Sequence, residues 1–226
     1  DLTDKMGYWV DMEDPYVTYK TKYIESVWWL LKQLYTKEML YKGYTIQPYS
    51  PKAGTGLSSH ELNLPGTYQD VKDTTIVAQF NLVKDDKYKS LFGDLEEVFA
   101  LAWTTTPWTL PSNTALAVGP KIEYVLVKTF NQYTFEAMNV LVAKPLLSKS
   151  FSGKYFEGTE EEMTSYSSED KKIPYQVKSA FVGTDLVDLR FEQLLPYAQP
   201  MDAADKAFRI IPGDFVTTED GTGIVH

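Results

Sequence analysis

The stretch Trp103-Thr104-Thr105-Thr106-Pro107-Trp108-Thr109-Leu110-Pro111-Ser112-Asn113 gathers polar groups at the end of an apolar run. Three adjacent threonines offer hydroxyls in alternating directions, with backbone N–H groups beside them. Pro107 removes one donor and locks the backbone. Trp108 supplies a flat apolar wall with one N–H, and Asn113 both donates and accepts. Such a set suits a polar ligand cradled without net charge. The same composition also suits an ordinary β-strand, where threonine is favoured anyway. A second polar-to-apolar transition runs from Thr217 to His226, where Gly221-Thr222-Gly223 precedes the strand-like pair Ile224-Val225. His226 then falls where a strand leaves its sheet. An imidazole there reads ligand size, holds a water, or merely faces solvent.

Other chemistries lack their residues. The chain has no Cys and two His, His60 and His226. Ser59-His60-Glu61-Leu62-Asn63-Leu64 is missing the second His of a helical zinc motif, so no metal site is expected, and His60 reads as a loop residue near a domain junction. Gly54-Thr55-Gly56 and Gly221-Thr222-Gly223 are Gly-rich, yet neither continues into the glycine pattern or the Lys-Ser/Thr ending that cradles phosphate. A turn or a close backbone approach explains them better. No Gly-x-Ser-x-Gly elbow is present, and two His leave little choice of base for a hydrolytic triad. The run Glu160-Glu161-Glu162 reads as solvated surface.

These residues need elements to hold them. Ile24, Val27, Trp28, Leu31, Leu34 and Tyr35 recur at three- and four-residue steps, which predicts an amphipathic helix within 18–41, closed near Gly43. Pro48, Pro51, Gly54, Gly56, Pro65 and Gly66 make 44–73 an extended connection. From Thr74 the period changes to two: Ile76, Ala78, Phe80 and Leu82 alternate. Residues 98–103, 114–118, 124–130, 134–143 and 176–182 also read as strands, 202–208 as a short helix, and 210–216 as strand, turn, strand. Segment 148–172, rich in Ser, Gly and charge, reads as a solvated insertion.

Composition agrees with an ordered globular chain. Its 226 residues are 43% hydrophobic and 14% aromatic, enough for one large domain or two small ones. The net charge of −9 does not steer the chain to nucleic acid, so any RNA contact must be local or assisted by another domain. No apolar run approaches the roughly 18 residues of a membrane span, and no signal peptide is visible. The absence of Cys fits a reducing compartment. A start at Asp1 and an end directly after Ile-Val suggest a piece of a larger protein.

Taken together, WTTTPWTLPSN at Trp103–Asn113 and GTGIVH at Gly221–His226 resemble the two signature stretches of the editing domain of isoleucyl-tRNA synthetases. The similarity extends to GYWVDMEDP at Gly7–Pro15, to Tyr23–Tyr35, to Gly43–Tyr49, to GTGLSSHE at Gly54–Glu61 and to TALAVGP at Thr114–Pro120. It leaves out Ser148–Lys172. Valyl and leucyl relatives typically carry Arg in place of Thr106, and the missing cysteines around Tyr49–Gly54 are similar to the eukaryote-like branch, which builds no zinc knuckle.

The resemblance implies an α+β, mainly β fold: a closed β-barrel editing domain with a flanking amphipathic helix. On that basis 1–73 is an entry segment, and 74–226 is the barrel with its insertion at 148–172. The implied reaction is hydrolysis of valine wrongly attached to the isoleucine tRNA, with valyl-adenylate a further candidate substrate. The implied partners are the tRNA 3′ end and the remainder of a cytoplasmic synthetase. No cofactor is expected here, ATP and Mg belonging to the parent's synthetic site. Thr104, Thr105 and Thr106 would line the site and His226 would limit side-chain size, while Trp108, Asn113, Gly221, Thr222 and Gly223 would shape the substrate pocket. The role is physically sensible: one methylene in an apolar pocket yields roughly 10–200-fold discrimination, and isoleucine against valine is the standard illustration of that limit. Ester hydrolysis needs a positioned water and donors for the oxyanion, which threonine hydroxyls and loop N–H groups can supply. No general base is evident, and the resemblance implies that a hydroxyl of the terminal ribose orients the water. In the family an Asp-Asp pair follows the final His and anchors the substrate ammonium. The sequence stops at His226, so weak activity is expected. Two alternatives stay open: the editing domain of a valyl or leucyl relative, and a non-catalytic β-barrel that binds RNA or a partner.

Overall fold

The computed structural model describes residues 2–226, and its internal contacts divide the chain into two units, with the division between Asp70 and Val71. In the first unit α1 (Leu2–Lys5) is followed by α2 (Thr21–Thr36). Glu38, in the left-handed region at φ 57°, terminates α2, and Met39 N–H donates back to Leu34 O at 3.0 Å, so the stop lies at Thr36 and not near Gly43. None of the α2 residues is buried, Trp28 and Trp29 included. The Pro- and Gly-rich stretch that follows is more ordered than an extended connection. It pairs β1 (Tyr49–Ser50) with β2 (Thr55–Gly56) and then forms α3 (Ser59–Leu62), which carries His60. Ser58 and Glu61 cap α3 reciprocally, and the two bonds that Glu61 accepts from Ser58 hold its carboxyl below the ordinary value.

The second unit contains β3 (Ile76–Asn81), α4 (Asp86–Phe92), β4 (Phe99–Thr104), β5 (Ala115–Val118), β6 (Glu123–Phe130) and β7 (Ala137–Ala143). After these come α5 (Leu147–Ser150), β8 (Tyr155–Glu157), α6 (Glu160–Ser165), β9 (Ile173–Val182), α7 (Gly183–Leu186), β10 (Arg209–Pro212) and β11 (Ile224–Val225). Six strands form one sheet in the order β3-β4-β7-β6-β9-β8, and three form another in the order β10-β5-β11. The strand period places alternate residues on opposite faces. On one face Phe80, Ala100, Ala102, Tyr124, Leu126 and Leu141 pack against Leu116, Ile210 and Ile224 of the small sheet. On the other, Leu101, Val125, Val127, Val140 and Val142 are covered by Phe151 and Tyr175. Each buried aliphatic or aromatic side chain contributes roughly 1.5–3 kcal/mol.

The closed barrel expected from the resemblance is not formed among the described residues. β3 and β8 remain the edges of the large sheet, and isolated bridges, Leu82 with Phe191 and Arg190 with Arg209, stand where a continuous ladder between the sheets would run. A barrel needs a continuous ladder around its circumference; here two open sheets face each other across a shared core. Segment 148–172 does more than stand in solvent. β8 pairs in parallel with β9, and Phe151 and Met163 are buried, although the acidic run on α6 is exposed. Around Asp202–Phe208 the helix shrinks to a 3-10 turn at Ala204–Lys206, and the strand expected at Phe215-Val216 does not form. Among the described residues no helix is long and apolar enough to cross a membrane.

Candidate functional site

β4 ends at Thr104, whose neighbours on the strand decide where its side chain goes. Ala100 and Ala102 face the core shared by the two sheets, and Thr104 follows them at the same period, only 4% exposed. Its hydroxyl oxygen accepts from Thr106 N–H at 3.0 Å and lies 3.3 Å from Thr106 Oγ1. Thr106 caps a 3-10 turn, Pro107–Ser112, with Pro107 in the position where a missing N–H costs nothing. Thr109 closes that turn: its N–H and its hydroxyl both donate to Thr106 O, at 3.0 and 2.7 Å, and its Oγ1 is 3.3 Å from Thr106 Oγ1. A line of hydroxyls therefore runs Thr104, Thr106, Thr109.

His226 joins this line from the other end of the sequence. Its Nε2 lies 2.8 Å from Thr104 Oγ1 across 122 positions. Burial pushes the imidazole below its ordinary value, so the neutral ring predominates near pH 7. A neutral ring leaves Nε2 free to accept the Thr104 proton or to donate to its oxygen, according to tautomer.

The Gly221–His226 arm reaches that position because hydrogen bonds fix it and the two residues before it. Thr222, 4% exposed, accepts from Trp103 N–H at 3.3 Å through its hydroxyl and from Ala143 N–H at 2.9 Å through its carbonyl. Tyr124 OH donates to Gly223 O at 2.7 Å and accepts from Gly119 N–H at 2.9 Å, and burial raises its pKa to about 12. Lys149 Nζ donates to Glu219 O at 2.5 Å and to Asp220 Oδ1 at 3.3 Å. The two glycines are required. Gly221 has φ +77° against the Trp103 ring, and Gly223 has φ +75° with a Cβ position only 2.3 Å from Ala143 Cβ.

The structure thus brings Thr104, Thr106 and His226 together and shows Gly221, Thr222 and Gly223 holding the arm. Thr105 is exposed, and its hydroxyl has no partner among the described residues. Trp108 is 66% exposed in the 3-10 turn. Asn113 ends that turn, donating from Nδ2 to Ala115 O at 2.8 Å, while its buried Oδ1 has no partner. The sequence reading passed over Thr109 and Tyr124. Thr109 carried a readable signal, a hydroxyl three residues after Thr106 across a proline. Tyr124 carried none, since a tyrosine in a strand reads as apolar bulk. No group of three or more His, Cys, Asp or Glu among the described residues is arranged to hold a metal.

The family described as tRNA synthetases class I (I, L, M and V) matches residues 2–212. The chain is 58% identical over 226 residues to the isoleucine–tRNA ligase of Cytophaga hutchinsonii, covering all of this chain and 19% of that protein. It is 55% identical over 234 residues to the isoleucine–tRNA ligase of Bacteroides thetaiotaomicron, with 100% and 20% covered. The chain spans about a fifth of the length of these relatives. Among solved structures, the editing domain of the P. knowlesi cytosolic leucyl-tRNA synthetase is similar over 67% of this chain and 56% of that one, with 14% identity and a TM-score of 0.48.

Proposed function

The chain belongs to the class I tRNA synthetases (I, L, M and V), and on that premise we propose that it is the editing domain of a cytoplasmic isoleucyl-tRNA synthetase, hydrolysing valine misattached to the isoleucine tRNA. One observation carries the reading: the 2.8 Å contact between His226 and Thr104, which joins the two stretches on which the resemblance rests.

The proposed reaction is attack of water on the aminoacyl ester carbonyl, followed by cleavage of the ester C–O bond, which returns a free amino acid and an uncharged tRNA 3′ end. Negative charge develops on the carbonyl oxygen. The hydroxyls of the Thr104–Thr109 line and the N–H groups of the loop are donors of the kind that stabilise it. Thr105, exposed and unpartnered among the described residues, has its hydroxyl uncommitted before substrate arrives. A neutral His226 does not repel the substrate ammonium, and its ring, held by Thr104, forms a rigid boundary. A rigid boundary rejects the larger isoleucine because overpacking costs about 1–3 kcal/mol. Hydroxyls of this kind do not ionise at neutral pH, so in this reading the chain positions and stabilises, while the terminal ribose hydroxyl orients the water.

The test is deacylation of valyl-tRNA and isoleucyl-tRNA, both on the isoleucine tRNA, by the full chain and by Thr104→Ala and His226→Ala. The proposal expects the wild type to prefer the valyl ester, Thr104→Ala to lose activity, and His226→Ala to begin hydrolysing the isoleucyl ester. Equal hydrolysis of both esters by the wild type, or unchanged selectivity in His226→Ala, would refute it.

A further inference from the structure

Trp103 and Thr104 are consecutive on β4, so their side chains leave the sheet on opposite faces. Thr104 turns toward His226. Trp103 turns away, to the face that carries Leu101, and there it borders a cavity of about 520 Å³. That volume lies within the roughly 300–1,000 Å³ of sites that take small organic groups. Leu101, Met138 and Val140 line it from the sheet, and Phe151 and Tyr155 border it from segment 148–172. No charged side chain lines it. Its polar groups are neutral and largely uncommitted. Among the described residues the side-chain amides of Gln79 and Gln132 make no hydrogen bond, and Ser150 Oγ is buried without a partner. Asn131 is fixed in place by accepting from the N–H groups of Tyr133 and Thr134 at 2.8 and 3.2 Å.

We propose that this cavity is a second binding site, for an unstacked nucleobase. A lining without charge disfavours phosphate and carboxylate, which would lose hydration without a counter-charge. Aromatic side chains offer faces for a planar heterocycle, and amide side chains match the mixed donors and acceptors of a base edge. A purely apolar guest would leave the buried Ser150 Oγ unsatisfied. The proposal rests on the editing reading for the identity of its occupant: the base that precedes the terminal adenosine in the single-stranded tRNA 3′ end. Thr104 is the last residue of β4, so a nucleic-acid strand whose terminal nucleotide is held there has only to round the end of that strand to reach the face that carries Trp103. Placing the neighbouring base across β4 would hold the ester in register without any contact to the amino acid.

Two experiments test it. The full chain is titrated with adenosine, cytidine and uridine, and separately with inorganic phosphate, while backbone amide shifts are followed by NMR. The site predicts saturable shifts, for at least one nucleoside, at Trp103, Asn131–Tyr133 and Phe151, absent with phosphate and lost in Met138→Trp, which fills the cavity. Gln79→Ala with Gln132→Ala, both outside the packed core, should weaken nucleoside binding about tenfold. No saturable shift at these residues with any nucleoside, or equal shifts with phosphate, overturns the site. Kinetics then address the occupant. The glutamine double variant should raise KM for valyl-tRNA about tenfold at unchanged kcat, and leave hydrolysis of a valyl-adenosine ester, which has no preceding base, as in the wild type. An unchanged KM for the tRNA, or equal impairment of the short ester, overturns that assignment. Should the wild type hydrolyse neither ester, the editing reading fails, and the nucleoside titration still decides the cavity.

Discussion

The tripeptide Gly-Thr-Gly occurs twice, and its two copies behave differently. At Gly54-Thr55-Gly56 the first glycine has φ +69° with open space around it, and the threonine hydroxyl, exposed, donates only to the adjacent Gly56 O at 3.3 Å. The last glycine approaches nothing firmer than the Gln47 side chain, exposed at the surface. At Gly221-Thr222-Gly223 the same three residues are wedged between Trp103 and Ala143, and the threonine is tied to both by hydrogen bonds. The first copy leads out of a hairpin turn into β2. The second is an anchored arm that delivers an imidazole. Identical local sequence supplies the same permission for positive φ, and the surrounding strands decide whether that permission merely turns the chain or builds a site.

The strongest way to break this contrast is steric. Gly223→Ala adds a methyl 2.3 Å from Ala143 Cβ at a positive φ, so it should lose about 2–5 kcal/mol of unfolding free energy together with the deacylase activity. Gly54→Ala meets no atom within 4 Å and should lose about 1–2 kcal/mol from backbone strain alone. Urea denaturation of both variants reads the difference, and equal losses would mean that the second arm is not wedged. Next in size is Tyr124→Phe, which leaves the buried Gly119 N–H and Gly223 O without their shared partner. A loss of about 2 kcal/mol is expected, with kcat for valyl-tRNA falling as His226 loosens. Thr222→Val should lose about 1 kcal/mol by orphaning the Trp103 N–H, whereas Thr55→Val should stay within about 0.5 kcal/mol of wild type.

The smallest effect is a pH dependence. Burial lowers the His226 pKa from 6.5, so below that value the unfolded chain takes up a proton that the folded chain resists. This contribution to stability is complete above pH 6.5 and is lost as the pH falls through the lowered folded value. Thermal melts between pH 5 and 8 should show the slope in the wild type and a shallower one in His226→Gln, and parallel slopes would mean that the ring is not desolvated.

Much of the β structure was legible because its cause is local. Alternation from Ile76 to Leu82 marks β3, and the apolar run at 98–103 marks β4 to within a residue. The open architecture was not legible, because closure depends on whether β3 and β8 find partners, and β8 is three residues set in a charged segment. α4 escaped because seven residues are too few for a helical period to stand out, although Asp85 caps it through Tyr88 N–H. At the site, the types of Thr104, Thr106 and His226 pointed to a polar cradle, and the wide spacing hid how they meet. Tyr124 was invisible for the same reason: its acceptor, Gly223, lies 99 positions away.

The separation of 122 positions between Thr104 and His226 also sets a schedule. Translation adds about 5–20 residues per second, so the threonine loop precedes its imidazole by about 6–24 s. Strands β3 to β9 belong to that earlier portion, and hairpins form in microseconds. On the ribosome the large sheet can therefore exist while the hydroxyl line still lacks its ring. The contact between His226 and Thr104 would then form abruptly, when the Gly-Thr-Gly arm slots between Trp103 and Ala143, and the hydrolysis proposed for the site would have to wait for that moment.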